Sequence, residues 1–261
     1  MAIFEPEKNV KLNYQVHGDG EKAIIFLNGL TMSTKGWKNQ IKYFKDKFKV
    51  VVYDMRGQGL STKPEEKFHF TDQVSDLKKL MQHLNIEKAY LAGVSYGTII
   101  LKEFAIQHPE MCEKIILMSP VRKPDFAFEM VLKILDDLLI NDRMETFYAF
   151  LLYASFNRPF SDKIKPEYPI MNELFIKTLP AKSTYNLFHS VDFYNDLDNY
   201  PELEVPTLVL GAINDRFVNP EDAVTISKEA KNAQVKMIEG SHALPGVNPT
   251  DVNNEIEKFF S

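Results

Sequence analysis

The sequence has few of the features that mark secreted, membrane-spanning or nucleic-acid-binding proteins. It contains a single cysteine, Cys112, so no disulfide can form within the chain. No apolar run approaches the length needed to cross a bilayer, and the start MAIFEPEKNV lacks the basic and apolar regions of a secretory signal. The formal net charge of -5 gives no attraction for nucleic acid. We therefore expect a cytoplasmic protein without a membrane span or a nucleic-acid partner. The sequence does not indicate its oligomeric state.

Short apolar runs alternate with segments of helical periodicity along most of the chain. The runs are rich in Ile, Val and Leu and lack strict alternation, which is typical of parallel strands covered on both faces. Three other segments, 71–85, 219–232 and 249–260, have the stripes or caps of amphipathic helices. The alternation predicts an α/β fold with a doubly wound, mostly parallel sheet. The six apolar runs are AIIFLNG (23–29), KVVVYD (49–54), KAYLAGV (88–94), EKIILMS (113–119), PTLVLGA (206–212) and AQVKMIEG (233–240).

Residues 121–196 interrupt this alternation. They contain no convincing strand, and 14 Phe and Tyr residues lie within these 76 positions. We interpret the segment as a helical insertion in a core formed by 1–120 and 197–261. Most of its aromatic residues are expected to form the insertion's own core, and the remainder would line an apolar pocket beneath a lid.

The stretch GVSYG (93–97) matches the G-x-S-x-G nucleophile elbow. The run KAYLAGV provides the strand that the motif requires, and TIILKEFAIQH provides the helix that follows it. A sharp turn between them would hold Ser95 in a strained conformation, while Gly93 and Gly97 would let strand and helix approach closely. The pattern predicts that Ser95 is a nucleophile.

A serine nucleophile needs a base that is oriented by a carboxylate. His242 follows a predicted strand at the edge of the sheet where ligands bind, and we interpret it as the base. Asp215 also follows a strand, so the order Ser95, Asp215, His242 fits a catalytic triad. Asp54 is the competing carboxylate, but it precedes the turn RGQG and is interpreted as structural. Among the other histidines, His69 and His189 stay open as alternatives.

Two backbone N–H groups should bind the oxyanion. One is expected from Tyr96, directly after the nucleophile, and the other from Leu30, in the loop after an early strand. No His, Cys and carboxylate cluster has the spacing of metal ligands, so neither a metal nor another cofactor is expected.

Five stretches together make the chain resemble the α/β-hydrolase-fold superfamily, in its serine esterase and lipase branch, over essentially its whole length. The resemblance implies a mostly parallel eight-stranded sheet with a helical cap after the sixth strand, and it implies the triad Ser95, Asp215 and His242. Trp37 also matches a tryptophan common in the small esterases. The stretches are FLNG (26–29), DMRGQGLS (54–61), GVSYG (93–97), PTLVLGAINDRFV (206–218) and EGSHALP (239–245).

The chain departs from the family's pattern at two places. Asn28-Gly29 stands where His-Gly is frequent, and Thr98 stands where a second glycine often follows the elbow. A serine nucleophile also differs from the aspartate of related dehalogenases and epoxide hydrolases, so we do not expect those activities.

We expect a carboxylic ester hydrolase that cleaves a small to medium apolar ester or thioester through an acyl-serine intermediate. Two alternatives stay open: a slow-turnover ligand sensor or signalling protein on the same scaffold, and an esterase for methyl esters of acyl-carrier protein. An acidic carrier would favour a basic cap, whereas residues 121–196 hold nine Lys and Arg against eleven Asp and Glu. Five residues are predicted to line the acyl pocket: Phe126, Met130, Phe150, Tyr153 and Phe188.

Overall fold

One eight-stranded sheet forms the centre of the computed structural model, which describes residues 2–261. The strand order is β1-β2-β4-β3-β5-β6-β7-β8, in which β2 runs antiparallel to both of its neighbours and all other pairs are parallel. The strands are β1 (Ala2–Glu7), β2 (Val10–His17), β3 (Ala23–Leu27), β4 (Lys49–Tyr53), β5 (Ala89–Val94), β6 (Cys112–Met118), β7 (Thr207–Ala212) and β8 (Ala233–Ile238).

Helices cover both faces of the sheet, as the doubly wound prediction requires. Successive residues of β3 show this clearly: Ile24 packs in one buried apolar cluster and Ile25 in another. The helices are α1 (Lys38–Phe44), α2 (Phe70–His83), α3 (Tyr96–Gln107), α4 (Phe126–Ile140), α5 (Met144–Ser155), α6 (Arg158–Ile164), α7 (Tyr168–Thr178), α8 (Ala181–Phe188), α9 (Glu221–Glu229), α10 (Leu244–Val247) and α11 (Pro249–Phe260).

All six predicted strands are present, and the expected α/β-hydrolase fold with its eight strands is confirmed. Residue patterns alone did not indicate β1 and β2, which form the antiparallel edge of the sheet. The helix expected over 219–232 begins later and ends earlier than predicted, at Glu221 and Glu229. Asn219 still acts at its start, because its Oδ1 accepts a hydrogen bond from the Glu221 N–H at 3.1 Å.

Five helices, α4 to α8, lie between β6 and β7. Within the described residues of 121–196, no strand is formed. The chain therefore leaves the sheet after β6, runs through these helices and returns at β7. We call α4 to α8, residues 126–188, the helical insertion; they form most of the segment 121–196.

Asp54 has the structural position that its sequence context predicted. Its side chain is buried, and Oδ1 accepts from the Thr34 N–H at 2.7 Å. Oδ2 accepts from the Leu60 N–H at 2.9 Å and from Asn13 Nδ2 at 2.8 Å. The carboxylate thus joins the loop after β3, the turn after β4 and strand β2 beside the carboxyl edge of the sheet.

Replacing Asp54 with alanine should destabilise the fold, because three donors, two of them buried, lose their acceptor at once. We expect a loss of about 3 kcal/mol or more in the free energy of unfolding, which lowers Tm by roughly 6–12 °C. Differential scanning calorimetry measures this change. Asp46→Ala, at an exposed position, is the control and should change stability by less than about 0.5 kcal/mol. An equal Tm for the two variants would contradict the structural role.

Candidate active site

Ser95 occupies a sharp turn between β5 and α3. Its backbone has φ 51° and ψ -120°, a positive φ that is rare for a residue with a side chain. Such a conformation costs on the order of 1–3 kcal/mol and persists only where the surroundings fix it. Here the flanking strand and helix are buried, and the Ser95 N–H donates to the Met118 carbonyl at 2.9 Å.

The two glycines of the elbow lie where no side chain fits. A Cβ at Gly93 would be 2.7 Å from the Gly97 carbonyl oxygen. A Cβ at Gly97 would be 2.6 Å from the carbonyl oxygens of both Leu27 and Asn28. The elbow is therefore packed between β5, α3 and the end of β3 with no space for a methyl group.

Thr98 stands where a second glycine was expected, and its side chain takes part in the turn. Thr98 Oγ1 donates to the Ser95 carbonyl at 2.6 Å and accepts from the Val121 N–H at 3.4 Å. The departure from the family's pattern therefore adds hydrogen bonds behind Ser95.

The three predicted triad residues are brought together. His242 Nε2 lies 2.7 Å from Ser95 Oγ, and His242 Nδ1 lies 2.9 Å from Asp215 Oδ2. Since a carboxylate only accepts, Nδ1 carries the proton toward Asp215 and Nε2 is left to accept from the serine hydroxyl. The chain Ser95, His242, Asp215 is thus continuous, and both partner side chains are buried.

Asp215 is held by more than the histidine. Its other carboxylate oxygen, Oδ1, accepts from the N–H groups of Phe217 and Val218 at 2.8 and 3.1 Å. The Phe217 ring stacks on the His242 ring, with centroids 4.7 Å apart and an interplanar angle of 20°. These contacts fix the orientation of the carboxylate and the plane of the imidazole.

The two histidines left open by the sequence have other partners. His69 precedes α2 and contacts Thr71 and Asp196, whereas His189 contacts Asp136 at 2.6 Å. Neither is hydrogen-bonded to Ser95 within residues 2–261.

The N–H groups of Leu30 and Tyr96 lie in residues that line the same cavity as Ser95. Neither donates a hydrogen bond to another group in the described chain. Gln58 stabilises the loop that carries Leu30, because its Nε2 donates to the Gly29 and Leu30 carbonyls at 2.8 and 3.0 Å. Both amides are therefore available to a ligand oxygen.

Asn28, which stands in place of the frequent histidine, organises the loop through its side chain. Its Oδ1 accepts from Trp37 Nε1 at 2.7 Å, and its Nδ2 donates to Gln58 Oε1 and to the Tyr53 carbonyl, both at 3.1 Å. Trp37, which matches a tryptophan common in the small esterases, is buried and is thus part of the support of the loop.

A cavity of about 340 Å³ opens above Ser95 and His242. It is bounded by the loop after β3 and by the helical insertion, and its lining is predominantly apolar. The apolar and aromatic lining residues are Leu30, Met32, Val94, Tyr96, Ile99, Val121, Phe128, Leu132, Leu135, Tyr148, Leu151, Leu152, Phe156, Met171, Phe175, Phe188, Phe193, Phe217 and Ala243.

Of the five predicted pocket residues, only Phe188 lines this cavity; for the other four the structure gives a correction. Phe126 and Tyr153 are 75% and 66% exposed, Met130 is also exposed, and Phe150 packs at the edge of the core. The inner face of α4 is instead Phe128, Leu132 and Leu135, and that of α5 is Tyr148, Leu151, Leu152 and Ser155. Residue type alone does not tell which face of each helix packs inward.

Residues 22–249 match the family model described as the alpha/beta hydrolase fold. The chain belongs to the α/β-hydrolase-fold family. It is similar to epoxide hydrolase 1 of Caenorhabditis elegans, with 28% identity over 282 residues that cover 97% of this chain and 69% of the relative. It is also similar to 3-oxoadipate enol-lactonase 2 of Acinetobacter baylyi, with 25% identity over 96% of this chain and 93% of the relative.

Solved structures agree in fold. An α/β-hydrolase enzyme from a Medee basin deep-sea metagenome library superposes with a TM-score of 0.91 at 24% identity, covering 99% of this chain and 97% of that one. The enol-lactonase from Burkholderia xenovorans LB400 superposes with a TM-score of 0.87 at 19% identity, covering 97% of both chains. These likenesses concern the fold, whereas the family match over residues 22–249 supports hydrolase activity.

Within residues 2–261, no helix combines the length and the apolar character that crossing a membrane requires. The same residues contain no group of three His, Cys, Asp or Glu side chains placed to hold a metal ion.

Tyr96 contributes a side chain whose role the sequence did not reveal. Its buried hydroxyl lies 2.8 Å from Gln73 Oε1 and 2.7 Å from Ser190 Oγ. Burial raises the pKa of Tyr96 above its ordinary value, so the phenol stays protonated and able to donate. The residue that follows Ser95 is thus tied to α2 and to the chain leaving the helical insertion.

One backbone carbonyl of the helical insertion accepts hydrogen bonds from the residues on both sides of His242. The Ser155 carbonyl, at the end of α5, accepts from Ser241 Oγ at 2.9 Å and from the Ala243 N–H at 3.1 Å. These two donors flank His242. The position of the imidazole therefore depends on a contact with the insertion as well as on Asp215.

Removing the Ser241 hydroxyl should slow reactions at Ser95 if His242 activates that serine. We expect Ser241→Ala to lower the rate of fluorophosphonate labelling of Ser95 roughly fivefold, the equivalent of one hydrogen bond of ~1 kcal/mol. Ser241→Thr keeps a hydroxyl and should recover most of the rate. Ser227→Ala removes a serine hydroxyl that also donates to a backbone carbonyl, but on α9, and serves as the control. Equal labelling by Ser241→Ala and Ser227→Ala would exclude the positioning role.

Asp222, in the first turn of α9, carries a perturbed carboxyl group near the triad acid. Burial raises its pKa from 3.8 to about 6, Asp125 and Asp215 add to the rise, and Arg122 opposes it. Because the folded-state pKa exceeds the unfolded one, ionisation of Asp222 opposes folding. This cost is absent below pH 4, grows as the pH rises through 6, and is complete above that.

Asp222→Asn should therefore stabilise the protein at pH 7.5 and have little effect at pH 4. The group is partly exposed, so we expect a gain of no more than about 1 kcal/mol at pH 7.5. Thermal unfolding at both pH values measures the difference, with Glu221→Gln at an exposed position of the same turn as the control. A gain of equal size at pH 4 would contradict this assignment.

Proposed function

We propose that this α/β-hydrolase is a serine esterase that cleaves small to medium apolar carboxylic esters or thioesters. The observation that carries the proposal is the continuous hydrogen-bonded chain from Ser95 Oγ through His242 to Asp215, with its hydroxyl end at an apolar cavity. This is the arrangement that activates a neutral hydroxyl for attack on a carbonyl.

In the first half-reaction Ser95 Oγ attacks the ester carbonyl carbon while its proton passes to His242 Nε2. Asp215 stabilises the imidazolium that forms, through the hydrogen bond at Nδ1. The N–H groups of Leu30 and Tyr96 bind the oxyanion of the tetrahedral intermediate. The intermediate collapses as the C–O or C–S bond breaks, and His242 returns the proton to the leaving alkoxide or thiolate.

In the second half-reaction water attacks the acyl-Ser95 carbonyl. His242 Nε2 takes a proton from the water, and the same two N–H groups bind the second oxyanion. Collapse releases the carboxylic acid as the proton returns to Ser95 Oγ. Each cycle consumes one water and leaves the enzyme unchanged, and no step requires a metal or an organic cofactor.

The cavity supports an apolar acyl group of limited length. Its volume of about 340 Å³ lies near the lower end of the range for ligand pockets, roughly 300–1,000 Å³. Apolar and aromatic side chains supply most of the walls, so acyl methylene groups would be buried there with a gain of about 0.8 kcal/mol each. We therefore propose acyl chains of small to medium size.

We also propose that residues 121–196 act as a cap on a core formed by 1–120 and 197–261. Helices α4, α5, α7 and α8 each contribute to the cavity wall, with Phe128, Leu151, Phe175 and Phe188 as examples. The insertion would then determine which acyl groups fit, whereas the core would carry the chemistry.

An ester is favoured over an epoxide even though a C. elegans epoxide hydrolase is among the relatives. The residue at the elbow is Ser95, and a serine with a bound imidazole base suits acyl transfer. The resemblance to an enol-lactonase is compatible with this chemistry, because a lactone is a cyclic ester.

Ser95→Ala should abolish hydrolysis of p-nitrophenyl acyl esters, with a loss of about 10⁶-fold in kcat if the triad operates as proposed. Asp215→Asn should cost about 10⁴-fold, because the imidazole loses the partner that fixes its tautomer. Ser227→Ala and Asp46→Asn are the matched controls, and calorimetry establishes that each variant is folded.

A chain-length series from acetate to decanoate in the same assay gives the size of the acyl site. Undiminished hydrolysis by Ser95→Ala would refute the proposal. Turnover below about one event per minute on every ester, far under common enzyme rates, together with tight binding of a ligand, would favour the sensor alternative instead.

A further inference from the structure

A second cavity, of about 360 Å³, lies next to the first and has a different character. It is lined by two arginines, Arg158 and Arg216, by the hydroxyl-bearing Ser161, and by the aromatic residues Tyr153 and Phe156. Phe156 also lines the cavity above Ser95, so one aromatic side chain forms a wall of both. Arg216 directly follows the triad residue Asp215.

The two guanidinium groups lack acidic partners. Arg56 and Arg122 pair with carboxylates, but neither Arg158 nor Arg216 forms an ion pair within residues 2–261. Arg216 instead lies over the Tyr153 ring, at 5.5 Å from its centroid. Two like charges that face one cavity repel each other, and an anion placed between them would relieve that repulsion.

Apart from the two N–H groups proposed to bind the oxyanion, the first cavity offers no guanidinium or ammonium donor for a second negative charge. Its lining contains no Lys and no Arg, and an unpaired carboxylate buried among its apolar side chains would be strongly unfavourable. A substrate with an apolar portion and an anionic group would therefore place the apolar portion above Ser95. The anionic group would lie beyond Phe156, where guanidinium groups can bind carboxylate oxygens through paired N–H donors.

We propose that Arg158 and Arg216 form an anion subsite for the free carboxylate of an ester substrate. This inference rests on the proposed ester hydrolysis and specifies its substrate class: esters in which an apolar segment separates the cleaved carbonyl from a carboxylate. Arg158 is contributed by α6 of the helical insertion and Arg216 by the loop after β7. The subsite thus joins the insertion to the core beside the triad acid.

The test compares two esters that differ only in charge at the far end, mono-p-nitrophenyl adipate and the corresponding p-nitrophenyl adipamate. The measured quantity is the ratio of their kcat/KM values, because a general loss of activity cancels from it. Charge-assisted hydrogen bonds to two guanidinium groups should give the wild-type enzyme a preference of about tenfold or more for the adipate ester. Added salt should reduce the preference, since the subsite is open to solvent.

The double variant Arg158→Gln/Arg216→Gln should bring the ratio close to one. Arg143→Gln is the matched control, because Arg143 is also exposed and without an ion pair in the described chain, but it precedes α5 and lines neither cavity. That variant should keep the wild-type ratio. A wild-type ratio at or below one, or an unchanged ratio in the double variant, would overturn the subsite.

Failure of the proposed function gives a different result. If neither ester is hydrolysed, the esterase proposal fails, and the subsite is tested by calorimetric binding of the same two esters to Ser95→Ala. Tighter binding of the adipate ester that depends on Arg158 and Arg216 would support the subsite without turnover, whereas equal binding would overturn it. Competition by inorganic phosphate as strong as that by adipate would show a general anion site and refute selectivity for carboxylate.

Discussion

Ser95 holds a backbone φ of 51° where β5 passes into α3, and the remaining parts of the site are arranged around that turn. The conformation is maintained by close packing, because a single methyl group at Gly93 or Gly97 would meet backbone atoms at less than 3 Å. The same turn places the Ser95 hydroxyl in front of His242 and leaves the Tyr96 N–H free of internal partners. The proposed nucleophile and one of the proposed oxyanion donors thus both depend on one strained junction.

Backbone hydrogen bonds between strand ends connect this junction to the other two triad residues. The Ser95 N–H donates to Met118 at the end of β6, and the Ser119 N–H donates to Leu210 in β7. Beyond β7, the Asn214 N–H donates to the Gly240 carbonyl after β8 at 3.0 Å. Serine, aspartate and histidine follow β5, β7 and β8, so these bonds hold the loops of all three in a fixed relation. The triad geometry is therefore a property of the sheet edge.

This dependence on backbone explains which parts of the site could be predicted from the sequence. Elbow, base and acid each follow an apolar strand, and the parallel arrangement of those strands requires their ends to meet. By contrast, β1 and β2 lie at an antiparallel edge, where β1 is mostly exposed and β2 mixes buried, half-buried and exposed residues, so no apolar run forms. Strands that are buried almost throughout, such as β4 and β5, can be recognised from their apolar runs.

The pocket was predictable only in part, because its lining depends on how the insertion docks. Phe126 and Phe128 are two residues apart on α4, yet one is 75% exposed and the other lines the cavity. Both are aromatic, and composition cannot separate them. Only the rotation of α4 about its axis decides, and that rotation is set by contacts with α5 and with α8, which is distant in the sequence. The hydrogen bonds of the Tyr96 hydroxyl could not be predicted either, because their partners Gln73 and Ser190 are distant in the sequence.

The contact between the helical insertion and the residues beside His242 combines a backbone group with a side chain. The acceptor is the backbone carbonyl of Ser155, which any residue at that position would supply, whereas one of the two donors is the side chain of Ser241. Side chains of the insertion can therefore change, and with them the shape and charge of the cavity walls, without loss of the bonds beside His242. Under the proposed function, the sheet edge and one carbonyl hold the catalytic residues, and the helix faces that line the cavity would select the substrate.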